Sequence, residues 1–83
     1  MHDSLLMQNI SASLNGICKD NGIKKITTIE IAVGYGSPIN EKNLIDHLVD
    51  MNKGLVDHKT RAKVVFDNLP DQIAEIKIIE GAK

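Results

Sequence analysis

The sequence predicts an α+β fold: a three-stranded sheet with two helices packed on one face, in the order α-β-α-β-β. Three observations carry that reading. Two stretches repeat apolar residues at steps of three and four, the period of one helical face. Three shorter stretches alternate aliphatic with charged or threonine residues, the period of a half-buried strand. Each strand also has one aliphatic side and one polar side, as in a sheet that helices cover on one side only. At 83 residues the chain is one domain, 1–83.

The first helix spans about Asp3 to Asn21, with Asp3 or Ser4 as its N-cap. Leu6, Ile10, Leu14 and Ile17 form its apolar face, flanked by Met7 and Cys18. Gly16 either allows close packing or weakens the helix by about 1 kcal/mol relative to alanine. Asn21-Gly22 is the stop, because both residues tolerate the left-handed conformation that ends helices. The first strand follows, about Lys25 to Val33. Ile29, Ile31 and Val33 face the core there, and Thr28, Glu30 and Ala32 face water. Gly34-Tyr35-Gly36-Ser37-Pro38 reads as a loop.

The second helix spans about Glu41 to Lys53, with Asn40 as N-cap and Ile39 and Leu44 at the spacing of a hydrophobic staple. Leu44, Ile45, Leu48 and Met51 make its buried stripe; Asp46, His47 and Asp50 point outward. The second strand is about Arg61 to Asp67, with Ala62, Val64 and Phe66 on the core side and Arg61, Lys63 and Val65 opposite. Asn68-Leu69-Pro70-Asp71 is a turn. The third strand is about Ile73 to Glu80, with Ala74, Ile76 and Ile78 on one face and Glu75, Lys77 and Ile79 on the other. The short connection predicts that the second and third strands form an antiparallel hairpin.

Composition excludes several function classes. Apolar residues are 42% and charged residues 25%, a globular balance. Tyr35 and Phe66 are the only aromatics, so the core must be aliphatic. Ten basic against eleven acidic side chains give a net charge of −1, which argues against nucleic-acid binding. No stretch approaches the roughly 20 apolar residues of a membrane span. Met1-His2-Asp3-Ser4 lacks the basic start of a signal peptide, so the expected location is the cytoplasm. The single Cys18 makes neither an internal disulfide nor a cysteine-based zinc site.

No set of residues reads as a catalytic centre, and the protein is expected not to be an enzyme. Cys18 sits near an apolar stripe without an evident base and reads as a buried structural thiol. His47 and His58 lie among polar residues and read as solvated surface histidines. Gly34-Tyr35-Gly36 has two glycines of a phosphate loop but lacks the third, and reads as a strand-end turn.

The distinctive chemistry is at the start of the chain. The large His2 side chain disfavours removal of Met1. The Met1 amine, the amide nitrogen of His2 and its imidazole Nδ1 can then close two adjacent chelate rings on one metal. Three coplanar nitrogens suit square-planar Ni(II) or Cu(II), and the amide nitrogen or carboxylate of Asp3 can supply a fourth ligand. These ligands must lose protons, so affinity falls as pH drops through the histidine and amine pKa values.

The order α-β-α-β-β behind Met1-His2-acidic resembles the nickel-insertion accessory proteins of hydrogenase and urease maturation, the HypA/HybF family. The likeness continues through Lys25-Ile26-Thr27-Thr28-Ile29-Glu30-Ile31-Ala32-Val33-Gly34, similar to the family's first strand. It extends through Ser37-Pro38-Ile39-Asn40-Glu41-Lys42-Asn43-Leu44, which matches the family's serine, helix start and leucine. Val64-Val65-Phe66 and Glu75-Ile76-Lys77-Ile78-Ile79 fit the remaining strands. Two departures stand out. The family carries a zinc domain with two Cys-x-x-Cys pairs between its second and third strands, where this chain has only Asn68 to Gln72. The family's third residue is Glu, and here it is Asp3.

The resemblance implies a nickel-binding domain alone, without zinc. Met1, His2 and Asp3 would be the metal residues, with His2 as the essential ligand. It implies a metallochaperone that delivers Ni(II) to a hydrogenase-type enzyme during maturation. Its partners would be a maturation GTPase and a hydrogenase large-subunit precursor. The exposed edges of a small sheet also leave room for a homodimer. The alternative is a divergent relative that serves as a protein-interaction or regulatory module without metal delivery.

Overall fold

The computed structural model describes residues 4–70 and 73–83. The elements are α1 (Ser4–Asn21), β1 (Lys25–Gly34), α2 (Glu41–Met51), β2 (Arg61–Asp67) and β3 (Ala74–Ala82). Their order is the expected α-β-α-β-β, and the fold is α+β. One aliphatic core joins α1, α2 and the sheet, with α1 packed on the β3 side and α2 on the β2 side.

The strand order is β2-β1-β3, so the expected β2–β3 hairpin is not formed. β1 is central, parallel to β2 and antiparallel to β3. The physical reason lies in the connections. A helix-bearing segment links β1 to β2, and such a crossover lays its second strand parallel to its first. The chain between β2 and β3 then passes over the end of β1. Gly34 sits under that crossing: a Cβ there would collide with the Leu69 carbonyl oxygen and crowd the Pro70 carbonyl. The glycine is therefore required by close backbone approach.

A central strand is buried more fully than alternation alone suggests. Ile29, Ile31 and Val33 are fully buried, as expected, but so is Ala32, expected to face water. Ala32 is short and lies between its Cα partners Val65 and Glu75 on the two neighbouring strands. On the core side, Ile31 lies between Val64 and Ile76.

β3 departs from simple alternation through a bulge. Glu30 pairs with Ile78 but Ile31 pairs with Ile76, leaving Lys77 as the extra residue. The bulge reverses the phase of the strand. Ile79, not Ile78, therefore packs against the core, and Ile78 is exposed.

The helices follow their caps. Asn40 Oδ1 accepts the Asn43 N–H at 2.9 Å, and Ile39 and Leu44 are both buried beside it. α2 ends at Met51, two residues short of the expected Lys53, and Met51 is exposed rather than buried. The next residue explains this. Asn52 donates its N–H to Leu48 O at 2.7 Å and turns its side chain into the α1–α2 seam. There it accepts the Ser11 hydroxyl at 2.6 Å and donates to Ser11 O at 3.2 Å and Asn15 Oδ1 at 2.8 Å. A buried amide with these partners is satisfied, which makes it a positional lock between the helices. On α1, Leu6, Met7, Ile10, Leu14 and Cys18 are buried, whereas Ile17 lies at the exposed margin towards β3.

Two glycines should respond in opposite directions. Gly34→Ala should destabilise the fold by about 1–3 kcal/mol, the range for forcing atoms into an occupied space. A Cβ on Gly16 meets nothing within 4 Å. Gly16→Ala should therefore stabilise by about 0.5–1 kcal/mol through helix propensity. Urea midpoints of the two variants check both signs.

Candidate functional site

Met1, His2 and Asp3, the expected metal residues, lie outside the described residues. What the structure provides is their attachment. α1 begins at Ser4. His2 is two residues before it in sequence, so chain geometry limits its reach from Ser4 to about 7 Å. α1 joins β1 through a short connection, and its last turn sits at the far end of β3. There Ile17 and Asn21 line a groove with Ile79 and Lys83. The first turn of α1 therefore points towards the end of the sheet where β1 and β2 finish and β3 begins.

That end also holds the start of α2 and the loop after β1. Ser37 donates its N–H to Gly34 O at 3.0 Å, and its buried hydroxyl accepts the Ile39 N–H at 3.3 Å. Gly34-Tyr35-Gly36 is thus a strand-end turn, as the sequence suggests. Glu41 in the first turn of α2 accepts the Val64 N–H at 2.8 Å, covering a donor on the outer edge of β2. This hydrogen bond holds the Glu41 carboxyl below the usual carboxylate range. It also fixes where α2 begins. The helix starts level with Val64, one step short of Phe66, so Phe66 is exposed although the sequence places it on the core side.

Cys18 is buried, and burial pushes its thiol pKa up. A protonated thiol in apolar surroundings is a poor nucleophile and a poor metal ligand. His58 is exposed, as expected. His47 differs from the expected solvated residue: it is half-buried, and its Nε2 is enclosed without a hydrogen-bond partner among the described residues. A groove of about 380 Å³ between α2 and β2 is lined by Glu41, Asp46, His58 and Thr60 among others. Among the described residues, no three His, Cys, Asp or Glu side chains gather as a metal-holding group. No helix among them is long and apolar enough to cross a membrane.

The start of β1 is held by a second polar cluster. Lys25 pairs with Asp57 at 2.7 Å, and Asp57 Oδ1 also accepts the N–H groups of Lys59 and Thr60. The Lys25 ammonium and these amides hold the Asp57 carboxyl below its ordinary pKa. Thr60 in turn donates its hydroxyl to Ile26 O at 2.9 Å. These bonds order the segment before β2 and are structural.

Comparison of the chain with protein-family models, curated proteins and solved structures finds no match.

Two measurements test this account of the side chains. Glu41 binds its proton less tightly folded than unfolded. Its contribution to stability is therefore complete above the unfolded carboxylate value, about 4, and is lost as pH falls through the lower folded value. Glu41→Gln keeps an acceptor for Val64 but removes the titration. Its urea midpoint should fall less steeply with acid than that of the wild type; equal slopes would contradict the assignment. Cys18 should react with a thiol reagent only as the protein opens, so its labelling rate should rise with urea in step with unfolding.

Proposed function

We propose that this protein binds Ni(II) as cargo through Met1, His2 and Asp3 and hands it to a metalloenzyme precursor, as a metallochaperone without turnover. The observation that carries the reading is the donor set of Met1-His2. With Met1 as the amino terminus, the amine, the His2 amide nitrogen and His2 Nδ1 form two fused chelate rings in one plane. The backbone nitrogen or carboxylate of Asp3 completes a square-planar set. The element order behind this terminus supports the likeness to the HypA/HybF family, and a three-residue site with so few supporting groups favours ready ligand exchange.

Release follows from the same chemistry. Each nitrogen competes with protons, so acid weakens the complex, and an acceptor with more or softer ligands draws the ion away. The client by this reading is a hydrogenase-type large subunit, with a maturation GTPase as a further partner. The compartment is the cytoplasm. The second reading, an interaction module without metal delivery, draws on the short β2–β3 connection in place of a zinc domain.

Calorimetric Ni(II) titration separates the two. Protein starting at Met1 should bind one equivalent. His2→Ala should lose that binding, and so should protein extended by one residue before Met1, because extension turns the amine into an amide. Equal affinity in all three proteins would remove the terminal site, and absence of Ni(II) binding throughout would favour the interaction module.

A further inference from the structure

The last turn of α1 ends in a specific cap. Ile23 donates its N–H to Cys18 O at 2.9 Å, and Gly22, at φ +69°, donates its N–H to Lys19 O at 3.4 Å. These are the two bonds of a Schellman motif, with Asn21 as the cap residue and Gly22 in the left-handed position after it. At 3.4 Å the Gly22 bond is long, so that amide is weakly held. Asn21 is exposed, and its Nδ2 reaches back to donate to Ile17 O at 2.8 Å. The corner is open: a Cβ on Gly22 would meet no atom within 4 Å.

Two asparagines of the chain precede a glycine, Asn15 and Asn21. Such a pair carries its own reaction. The glycine nitrogen can attack the asparagine Cγ, and glycine has no side chain to hinder the approach. The attack needs a glycine nitrogen released from its hydrogen bond and a backbone turned out of the helical conformation. Asn15 is held against both. Gly16 lies inside α1, where its N–H belongs to the helical ladder, and Asn15 Oδ1 accepts from Asn52 Nδ2 at 2.8 Å. Asn21 needs only the fraying of one exposed helix end, the place where local opening is easiest.

We propose that Asn21 is a site of spontaneous covalent modification, in which its side-chain amide is converted to aspartate and isoaspartate. The Gly22 nitrogen loses its proton and bonds to Asn21 Cγ. Nδ2 takes up a proton and leaves as ammonia, which closes a cyclic imide. Water then opens the ring at either carbonyl, giving aspartate or the isoaspartate in which the main chain runs through Cγ. Water is the only co-reactant, and nothing is oxidised or reduced.

Conversion undoes the cap. The new carboxylate has no hydrogen to give Ile17 O, and it sits at the negative end of the helix dipole. In the isoaspartate the main chain is one methylene longer, so Gly22 and Ile23 lose their alignment with Lys19 O and Cys18 O. Ile23 packs against the core, so the change loosens the join between α1 and β1.

The test is ageing of the folded protein in warm, mildly alkaline buffer, followed by trypsin digestion and mass spectrometry. Cleavage after Lys19 and Lys24 puts Asn21 and Asn15 in different peptides. The peptide Asp20–Lys24 should gain the mass difference between a hydroxyl and an amino group and split into two products on chromatography. The peptide that carries Asn15 should convert at least about tenfold more slowly. In urea beyond the unfolding midpoint the two rates should converge, and Asn21→Gln should stop conversion at that position. The isoaspartyl protein, separated by its added negative charge, should unfold at a lower urea midpoint than the unaged protein. Equal rates at the two sites in the folded protein would overturn the proposal. So would conversion at Asn15 alone, or an Asn21 that stays intact over the time in which the urea-unfolded chain converts. An unchanged midpoint in the isoaspartyl protein would overturn the loss of the cap.

Discussion

Strand β1 pairs along both edges, in parallel with β2 and antiparallel with β3, and its side chains Ile29, Ile31 and Val33 have no exposed surface. Both helices pack against the face it centres. Its N-terminal end is tied to the segment before β2 by the Ile26 N–H donating to Leu55 O at 2.8 Å and by the Thr60 hydroxyl. Its C-terminal end lies under the chain that crosses from β2 to β3, at a glycine where no side chain fits. Strand order and the placement of both helices against one shared core follow from that one central strand.

Much of this was legible from periodicity. The apolar steps Leu6, Ile10 and Leu14 of α1 and Leu44 and Leu48 of α2, the Asn40 cap and the Ile29, Ile31 and Val33 side of β1 appear in the structure as the sequence suggests, whereas Ile17 and Met51 do not. Strand partners did not. Six residues between β2 and β3 look like a hairpin, and only the helix between β1 and β2 signals that β2 must lie parallel to β1. The run Ile31-Ala32-Val33-Gly34, apolar on both faces, was the available sign of a central strand. The phase of Ile78 and Ile79 was illegible for a different reason. A single bulged residue, Lys77, exchanges the two faces, and nothing in the alternating sequence marks it.

The candidate site divides the same way. Metal-donor chemistry at Met1-His2 is a property of covalent connectivity and reads directly from sequence. The surface around it does not. Phe66 reads as a core residue by alternation, and it is the position of α2, set by Glu41 on the Val64 N–H, that leaves it outside. His47 reads as solvated, yet its ring is half-buried and its Nε2 is enclosed. In each case the tertiary structure overrides a local pattern.

The proposed metal donors are those of Met1 and His2, just before the first turn of α1. Cu(II), which the Irving–Williams order places above Ni(II) at such a site, is paramagnetic and erases nearby amide signals. Added at one equivalent to protein beginning at Met1, it should broaden the amides of the first turn of α1. The far end, at Lys25 and Ala82, should stay sharp. Broadening centred on His47 or His58, or spread evenly over the molecule, would contradict the account.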